Sequence, residues 1–159
     1  MKNRNIVSIF LVASLFGCAT YQDPRSPEQQ KADLDNAISK LVGTYDVIDS
    51  RLDDRRGYVS VIASKTPSGF NIVLIGPKNE RTTLNGENCK GWSKKSASIM
   101  CDATSPRSYF MLDEIDKDMT IKDGAVIPSF SPMIVPTGKY RFEIADRGGR
   151  SHYYTLAKR

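Results

Sequence analysis

From Tyr45 onward, apolar and polar residues alternate in short segments, a pattern typical of half-buried β-strands rather than of long helices. Two such segments, residues 58–65 and 70–76, flank Thr66-Pro67-Ser68-Gly69, whose proline and glycine favour a turn. Antiparallel pairing through this turn places the apolar residues of both segments on one face. The predicted cross-strand pairs are Val59 with Gly76, Val61 with Leu74 and Ala63 with Ile72.

The C-terminal part of the chain repeats this arrangement. Residues 140–146 and 151–158 flank Arg147-Gly148-Gly149-Arg150. A four-residue turn there predicts Ile144 opposite Tyr153 and Phe142 opposite Thr155. Further candidate strands are 44–50, 81–84, 89–93, 97–102, 108–113, 119–122 and a proline-interrupted stretch, 126–135. Short strands with turn residues between them predict an antiparallel β-sandwich or small β-barrel.

One amphipathic helix is predicted before the strands. Ser26 is a good N-cap, Pro27 suits the first helical position, and Gln29 can complete a capping box. The helical stripe ends at Gly43 and consists of Ala32, Leu34, Ala37, Ile38, Leu41 and Val42. The polar face has no cationic bias, so we expect the stripe to pack on the domain rather than on lipid. A chain of 159 residues has room for one core, so residues 26–159 are predicted to be a single, mainly β domain.

Residues 1–17 have the features of a secretory signal peptide. Lys2 and Arg4 give a basic start, and an apolar run of about eleven residues follows from Ile6 to Phe16. A membrane-spanning helix needs about twenty residues, so this run is predicted to target the chain rather than to span a membrane. Its removal takes away Lys2 and Arg4 and lowers the formal net charge of +5 by two. So small a remaining excess does not favour nucleic-acid binding.

The apolar run ends in Leu15-Phe16-Gly17-Cys18, which resembles the lipobox of bacterial lipoproteins. The resemblance implies cleavage after Gly17, a thioether-linked lipid on Cys18 and a fatty acyl group, such as palmitate, on its new amino group. Several acyl chains hold a protein persistently at a membrane, whereas one holds it only marginally. Ala19 follows the cysteine where an Asp would imply inner-membrane retention. The resemblance therefore implies the periplasmic face of the outer membrane.

Residues 18–25 are predicted to form a lipidated tether. The seven residues from Ala19 to Arg25 can extend to at most roughly 25 Å, so the domain is expected to stay near the bilayer. A short tether favours a task at the membrane surface over a search across the periplasm.

Cys89 and Cys101 are the cysteines that remain after lipidation, in a compartment where disulfides persist. A turn at residues 94–96 places them opposite each other on adjacent strands, where a disulfide can join them. Closing so short a loop stabilises the fold by about 3 kcal/mol. The spacing is far from the Cys-x-x-Cys of redox proteins, so the predicted role is structural.

The sequence contains no recognised catalytic motif, and we expect neither enzyme activity nor a cofactor. Nucleophile elbows, glycine-rich phosphate loops and paired metal-ligand motifs are absent. His152 is the only histidine and is predicted to lie next to Ala145 as a semi-buried or surface packing residue. The acidic stretch from Asp113 to Asp118 lacks the glycine and distal Glu of an EF-hand, which favours a solvated turn over a calcium site.

Residues 127–136 combine prolines, which are confined to loops or sheet edges, with apolar residues that favour burial. This stretch is predicted either to fold over a barrel end or to offer Phe130, Met133 and Ile134 to a protein partner. The first functional hypothesis is accordingly a non-enzymatic, lipid-anchored accessory, assembly factor or inhibitor that binds another protein at the membrane. The alternative is a carrier of a small apolar ligand, because Gly43-Thr44-Tyr45 resembles the Gly-x-Trp opening of lipocalins.

Overall fold

The computed structural model describes residues 23–51, 57–67, 69–104, 107–122 and 131–159. The signal segment, Cys18 and Phe130 lie outside these residues. Within them, one helix precedes ten strands. The elements are α1 (Pro27–Leu41), β1 (Gly43–Arg51), β2 (Ser60–Thr66), β3 (Gly69–Ile75), β4 (Arg81–Trp92), β5 (Ser98–Ala103), β6 (Arg107–Glu114), β7 (Met119–Ile121), β8 (Met133–Val135), β9 (Tyr140–Asp146) and β10 (Ser151–Lys158).

Eight of these strands form a closed antiparallel barrel in the order β1-β10-β9-β6-β5-β4-β3-β2. The barrel closes because β1 pairs with β2 on one side and with β10 on the other. The predicted mainly β, antiparallel fold is therefore confirmed, and of the two architectures left open it is the barrel. β7 and β8 pair with each other in a separate two-stranded sheet, inserted between β6 and β9, which we call the flap.

Large side chains fill the barrel interior. The most deeply buried of them are Tyr45, Phe70, Ile72, Leu74, Ile99, Phe110, Leu112, Phe142, Ile144 and Leu156. Aromatic rings meet near the middle, with the ring centroids of Phe142 lying 6.4 Å from Phe110 and 5.8 Å from Tyr154. An eight-stranded barrel is just wide enough for side chains to fill it, and this one is filled in that way.

Helix α1 closes the end of the barrel at which β1 begins. The hydroxyl of Ser26 accepts a hydrogen bond from the Gln29 amide at 3.2 Å, as the predicted N-cap requires. The stripe residues Ala37, Ile38 and Leu41 are buried, and the last two join the barrel core. Leu34, Ala37, Ile38 and Leu41 of the predicted apolar stripe therefore pack on the domain, whereas Ala32 and Val42 are exposed.

Gly91, near the end of β4, lets α1 approach the barrel closely. A Cβ atom at this position would lie 2.5 Å from the Cα atom of Leu34, well inside van der Waals contact. The absence of a side chain at Gly91 therefore allows α1 to pack directly against the end of the barrel.

The register of the first hairpin is as predicted. Val61 pairs with Leu74 and Ala63 pairs with Ile72 across β2 and β3. The predicted register of the second hairpin is wrong by one residue, because Phe142 pairs with Tyr154 rather than with Thr155.

A three-residue turn causes this difference. The amide of Asp146 donates to the carbonyl of Arg150 at 2.8 Å, so the loop consists of residues 147–149. Gly149 adopts the left-handed conformation, with φ of 77°, which such a turn needs at its last position.

The segments predicted as separate strands at 81–84 and 89–93 form one strand, β4. The register against β5 shifts between Glu87 and Lys90. Asn88 has a φ of 47° at this shift, which fits a β-bulge. The bulge adds one residue to β4, and pairing with β5 continues on both sides of it.

The flap lies on the outer wall of the barrel. Its residues Ile121, Met133 and Val135 form a second apolar cluster with Ile115, and Tyr153 of β10 packs against it. Tyr153 alternates with Tyr154, which belongs to the barrel core, so its side chain is on the outside. The expectation that residues 127–136 fold over a barrel end is therefore wrong for the described part of this stretch.

Candidate functional site

The two predicted disulfide cysteines meet inside the barrel. Cys89 of β4 and Cys101 of β5 lie at bonding distance, with 2.05 Å between their sulfur atoms and 4.1 Å between their Cα atoms. Cys101 is buried and Cys89 packs against the barrel core. Their surroundings are therefore those of a structural link between adjacent strands, not of an accessible redox pair.

The flap presents one of the three predicted partner residues to solvent. The side chain of Ile134 is 61% exposed, whereas that of Met133 is fully buried against the barrel wall. Met133 is therefore wrong as a direct contact residue, because successive residues of a strand face opposite sides and Ile134 holds the outer position. Phe130 lies outside the described residues.

A charged cluster on the outer wall connects β5, β6 and β9 beside the flap. The Arg141 Nε donates to Asp113 Oδ2 at 2.7 Å, and its Nη1 lies 3.8 Å from Glu143 Oε2. Ser98 donates to the other oxygen of Asp113, and the Tyr109 hydroxyl donates to Glu143 Oε1 at 2.9 Å. Burial and this bond to Glu143 raise the pKa of Tyr109. Both carboxylates are bonded and buried, so the cluster holds three strands together.

The sequence did not single out this cluster. Asp113 and Arg141 are directly opposite each other in the structure, but only through the pairing of β6 with β9 across the inserted flap. Opposite charges on paired strands could have pointed to these two residues. That match can be seen only once the pairing of β6 with β9 is known.

A second site, the junction site, lies where the predicted tether joins α1 and β4. The Arg25 guanidinium donates to Asp23, to Asp33 at 2.7 Å and to the carbonyl of Gly91 at 2.8 Å. Its central carbon also lies 5.3 Å from the ring centroid of Trp92. Asp23 and Arg25, assigned to the tether from the sequence, are thus bonded to the folded domain.

The electrostatics of the junction site favour the charged forms of both partners. Side-chain and backbone hydrogen bonds from Arg25 lower the pKa of Asp23 to about 2. The hydrogen bonds to Asp23 and Asp33 raise the pKa of Arg25 further above its ordinary value. This arrangement fixes the start of the described chain against the barrel end.

Two hollows, each of about 260 Å³, lie on either side of Arg25. One is lined by Lys31, Leu34 and Lys90, among others, and the second by Pro24, Asp33, Trp92 and Lys94. Both combine apolar surface with lysines, and both are at the barrel end covered by α1.

Trp92 and Arg25 had not been identified from the sequence. Trp92 is the only tryptophan in the chain, a fact visible in the sequence, and the structure leaves it 39% exposed. Arg25 carried no such signal, because its partners are distant in sequence.

His152 lies near the other end of the barrel. His152 was predicted to lie across from Ala145. In the structure Ala145 pairs with Ser151, and His152 pairs with Ile144. Its Nε2 lies 3.4 Å from Asp146 Oδ2, and the imidazole is mostly buried. In the acidic stretch, Asp118 accepts a hydrogen bond from the Thr137 amide at 2.8 Å and so helps to close the base of the flap.

Comparison with known proteins assigns no family. No protein-family model matches the chain, and no curated protein or solved structure matches it. Across the described ranges, no group of three or more potential metal ligands occurs. No helix in the same ranges has the length and apolar character needed to cross a membrane.

Proposed function

We propose that this chain is a non-enzymatic, lipid-anchored protein of the bacterial cell envelope whose flap binds a protein partner. The observation that supports the proposal is that the barrel is closed and filled without any contribution from the flap. Side chains occupy the barrel interior, while the flap is not needed to close the barrel and exposes the apolar side chain of Ile134.

The filled interior favours a binding surface on the outside. Tyr45, Phe110 and Phe142 occupy the space that a lipocalin-like carrier would need for its ligand. A closed antiparallel barrel is compatible with that alternative function, but a ligand cavity would require these rings to move. We therefore keep the carrier as the second candidate and favour protein binding.

The flap has the two features that strand-based recognition uses. Among the described residues, β7 and β8 pair with each other alone, so each has an unpaired edge that can accept an added strand. On the face away from the barrel, Thr120 and Ile134 are exposed and directly opposite each other. Main-chain bonding at an edge, together with burial of Ile134, would give both affinity and register.

The proposed location follows from the resemblance of residues 15–18 to a lipobox. A lipid on Cys18 would hold the protein at the periplasmic face of the outer membrane. Mass spectrometry of the N-terminal peptide, isolated from membranes, tests this part directly. An acylated Cys18 is expected, and a chain that still begins at Met1 or carries a free thiol at Cys18 would contradict it.

The partner surface is tested with a photo-crosslinking amino acid at position 120 in living cells. We expect one discrete protein adduct, which Ile134→Asp reduces roughly tenfold or more, because burial of an Ile side chain contributes about 1.5–3 kcal/mol. The matched control is Ile48→Asp on β1, where the same residue type is 52% exposed on the barrel itself.

Three outcomes would count against the proposal. They are the absence of an adduct, an equal loss with both substitutions, and an adduct indifferent to Ile134→Asp. Native mass spectrometry of the same protein separates the alternative, since a co-purifying apolar ligand would support the carrier.

A further inference from the structure

We infer that the barrel end around Trp92 rests on the bilayer and contacts the anionic headgroups of phospholipids. The contact surface, here called the membrane platform, consists of Lys31, Lys90, Trp92, Lys94 and Lys95. This inference rests on the proposed lipid anchor and adds to it an orientation and a lipid class.

Chain length brings the platform to the membrane. Five peptide steps separate Cys18 from Asp23, and they can span at most about 18 Å. Asp23 is itself fixed to the domain through Arg25, which bonds to Asp33 and to Gly91. With acyl chains on Cys18, the barrel end that carries Arg25 is therefore the one that faces the lipid.

The charge of the platform matches an anionic surface. Lys31, Lys90, Lys94 and Lys95 are exposed, and within the part of the chain that the structure describes none of them forms an ion pair at bonding distance. The two carboxylates that line the hollows, Asp23 and Asp33, are both bonded to Arg25. Lysines beside a bilayer that contains anionic lipid are attracted to it, over a range set by the Debye length.

Trp92 supplies the apolar part of the contact. Its indole is partly exposed next to Pro24, and one ring face is covered by the Arg25 guanidinium. Tryptophan favours the headgroup level of a membrane because its ring is apolar and its N–H is polar. The combination of one such ring with several lysines is typical of proteins that lie on a membrane surface.

The same orientation leaves the end of the flap that carries Ser131 accessible. The carbonyl of Ser131 at the start of β8 accepts a hydrogen bond from Arg51, the last residue of β1. β1 begins at the end covered by α1, and nine residues of strand span on the order of 25 Å. This end of the flap therefore lies far from the platform and faces away from the bilayer.

The single tryptophan makes the inference measurable in the intact protein. The lipidated protein is reconstituted into vesicles of phosphatidylcholine alone or with phosphatidylglycerol, and Trp92 emission is recorded with lipids brominated on their acyl chains. We expect a blue shift and strong quenching with phosphatidylglycerol, and a loss of both at about 1 M salt, where the Debye length falls to about 3 Å.

Charge reversal on the platform gives the matched comparison. Lys94→Glu with Lys95→Glu is expected to lower the ratio of docked to undocked protein about fivefold or more per lysine. The control pair, Lys78→Glu with Lys122→Glu, changes exposed lysines toward the opposite end of the barrel and should leave the quenching unchanged.

The outcomes distinguish the platform from the anchor. Protein that floats with the vesicles but shows no quenching of Trp92 would overturn the platform and leave the lipid anchor standing. Quenching that responds equally to both pairs, or to neither, would also overturn it. Protein that does not float with vesicles at all would overturn both the anchor and the platform.

Discussion

Replacement of Gly91 by alanine is expected to lift α1 from the end of the barrel. The new Cβ would lie 2.5 Å from the Leu34 Cα, 3.1 Å from the Leu34 nitrogen and 3.2 Å from the carbonyl oxygen of Asp33. Carbon atoms in contact are ordinarily about 3.5–4.0 Å apart, so the helix must move by roughly 1 Å. That movement loosens the packing of Ile38 and Leu41, which belong to the barrel core.

The cost is that of overpacking, about 1–3 kcal/mol, reduced by up to about 1 kcal/mol because alanine suits a strand better than glycine. A net loss of about 1–2 kcal/mol lowers the midpoint of urea unfolding by roughly 1 M, since the denaturant slope is about 1–3 kcal/mol/M. Circular dichroism follows the loss of the β-strands during unfolding. The fluorescence of Trp92, the residue after Gly91, follows the loss of contact between α1 and the barrel. Leu34→Ala should not rescue the variant, because the clash is with main-chain atoms.

Gly148→Ala is the control. This glycine lies in an exposed turn, has no atom within 4 Å of an added Cβ and does not have a positive φ. Its replacement should leave the unfolding midpoint unchanged or raise it slightly, because alanine restricts the unfolded chain. A Gly91→Ala protein whose urea midpoint is at or above that of the wild type would refute the close packing of α1 against Gly91.

Two further predictions concern the disulfide and the junction site. Replacement of both Cys89 and Cys101 by alanine should lower the free energy of unfolding by about 3 kcal/mol, as expected for a link across 12 residues, and a loss below about 1 kcal/mol in urea unfolding would contradict this. The carboxyl of Asp23 should titrate with a pKa near 2 in NMR spectra of the folded protein and return to near 3.9 with Arg25→Gln. Because folding lowers this pKa, the contribution of the pair is complete above about pH 4 and is lost as the pH falls through 2. A wild-type midpoint near pH 4 would show that Asp23 is not held by Arg25 in solution.

Local sequence signals predicted the elements whose determinants are close together in the chain. The N-cap at Ser26 and the pairing of Val61 with Leu74 both depend on a few neighbouring residues, and both were predicted. The second hairpin shows the limit of this approach, because Gly148 and Gly149 suit either a three-residue or a four-residue turn. One residue of turn length shifts every cross-strand pair, and the sequence contains nothing that decides it.

Features that depend on distant pairing could not be predicted in the same way. Alternation suggested strands for both a sandwich and a barrel, and the choice depends on β1 meeting β10. The burial of Met133 likewise depends on where the flap folds back, which placed Ile134 and not Met133 on the outer face. The contacts of Arg25 with Asp33 and Gly91 join three separate segments, so no local pattern marked that residue as important.

The pairing of β1 with β10 also determines when this protein can fold. The barrel has no closed form until residues 151–158 are available, and Arg159 then adds a bond from its amide to the carbonyl of Thr44 and an ion pair with Asp46. A chain emerging N-terminus first would hold β1 with one edge unpaired until β10 has been synthesised. Closure of the barrel is therefore among the last events in its folding, and until then the free edge of β1 is a site at which an incomplete chain can aggregate.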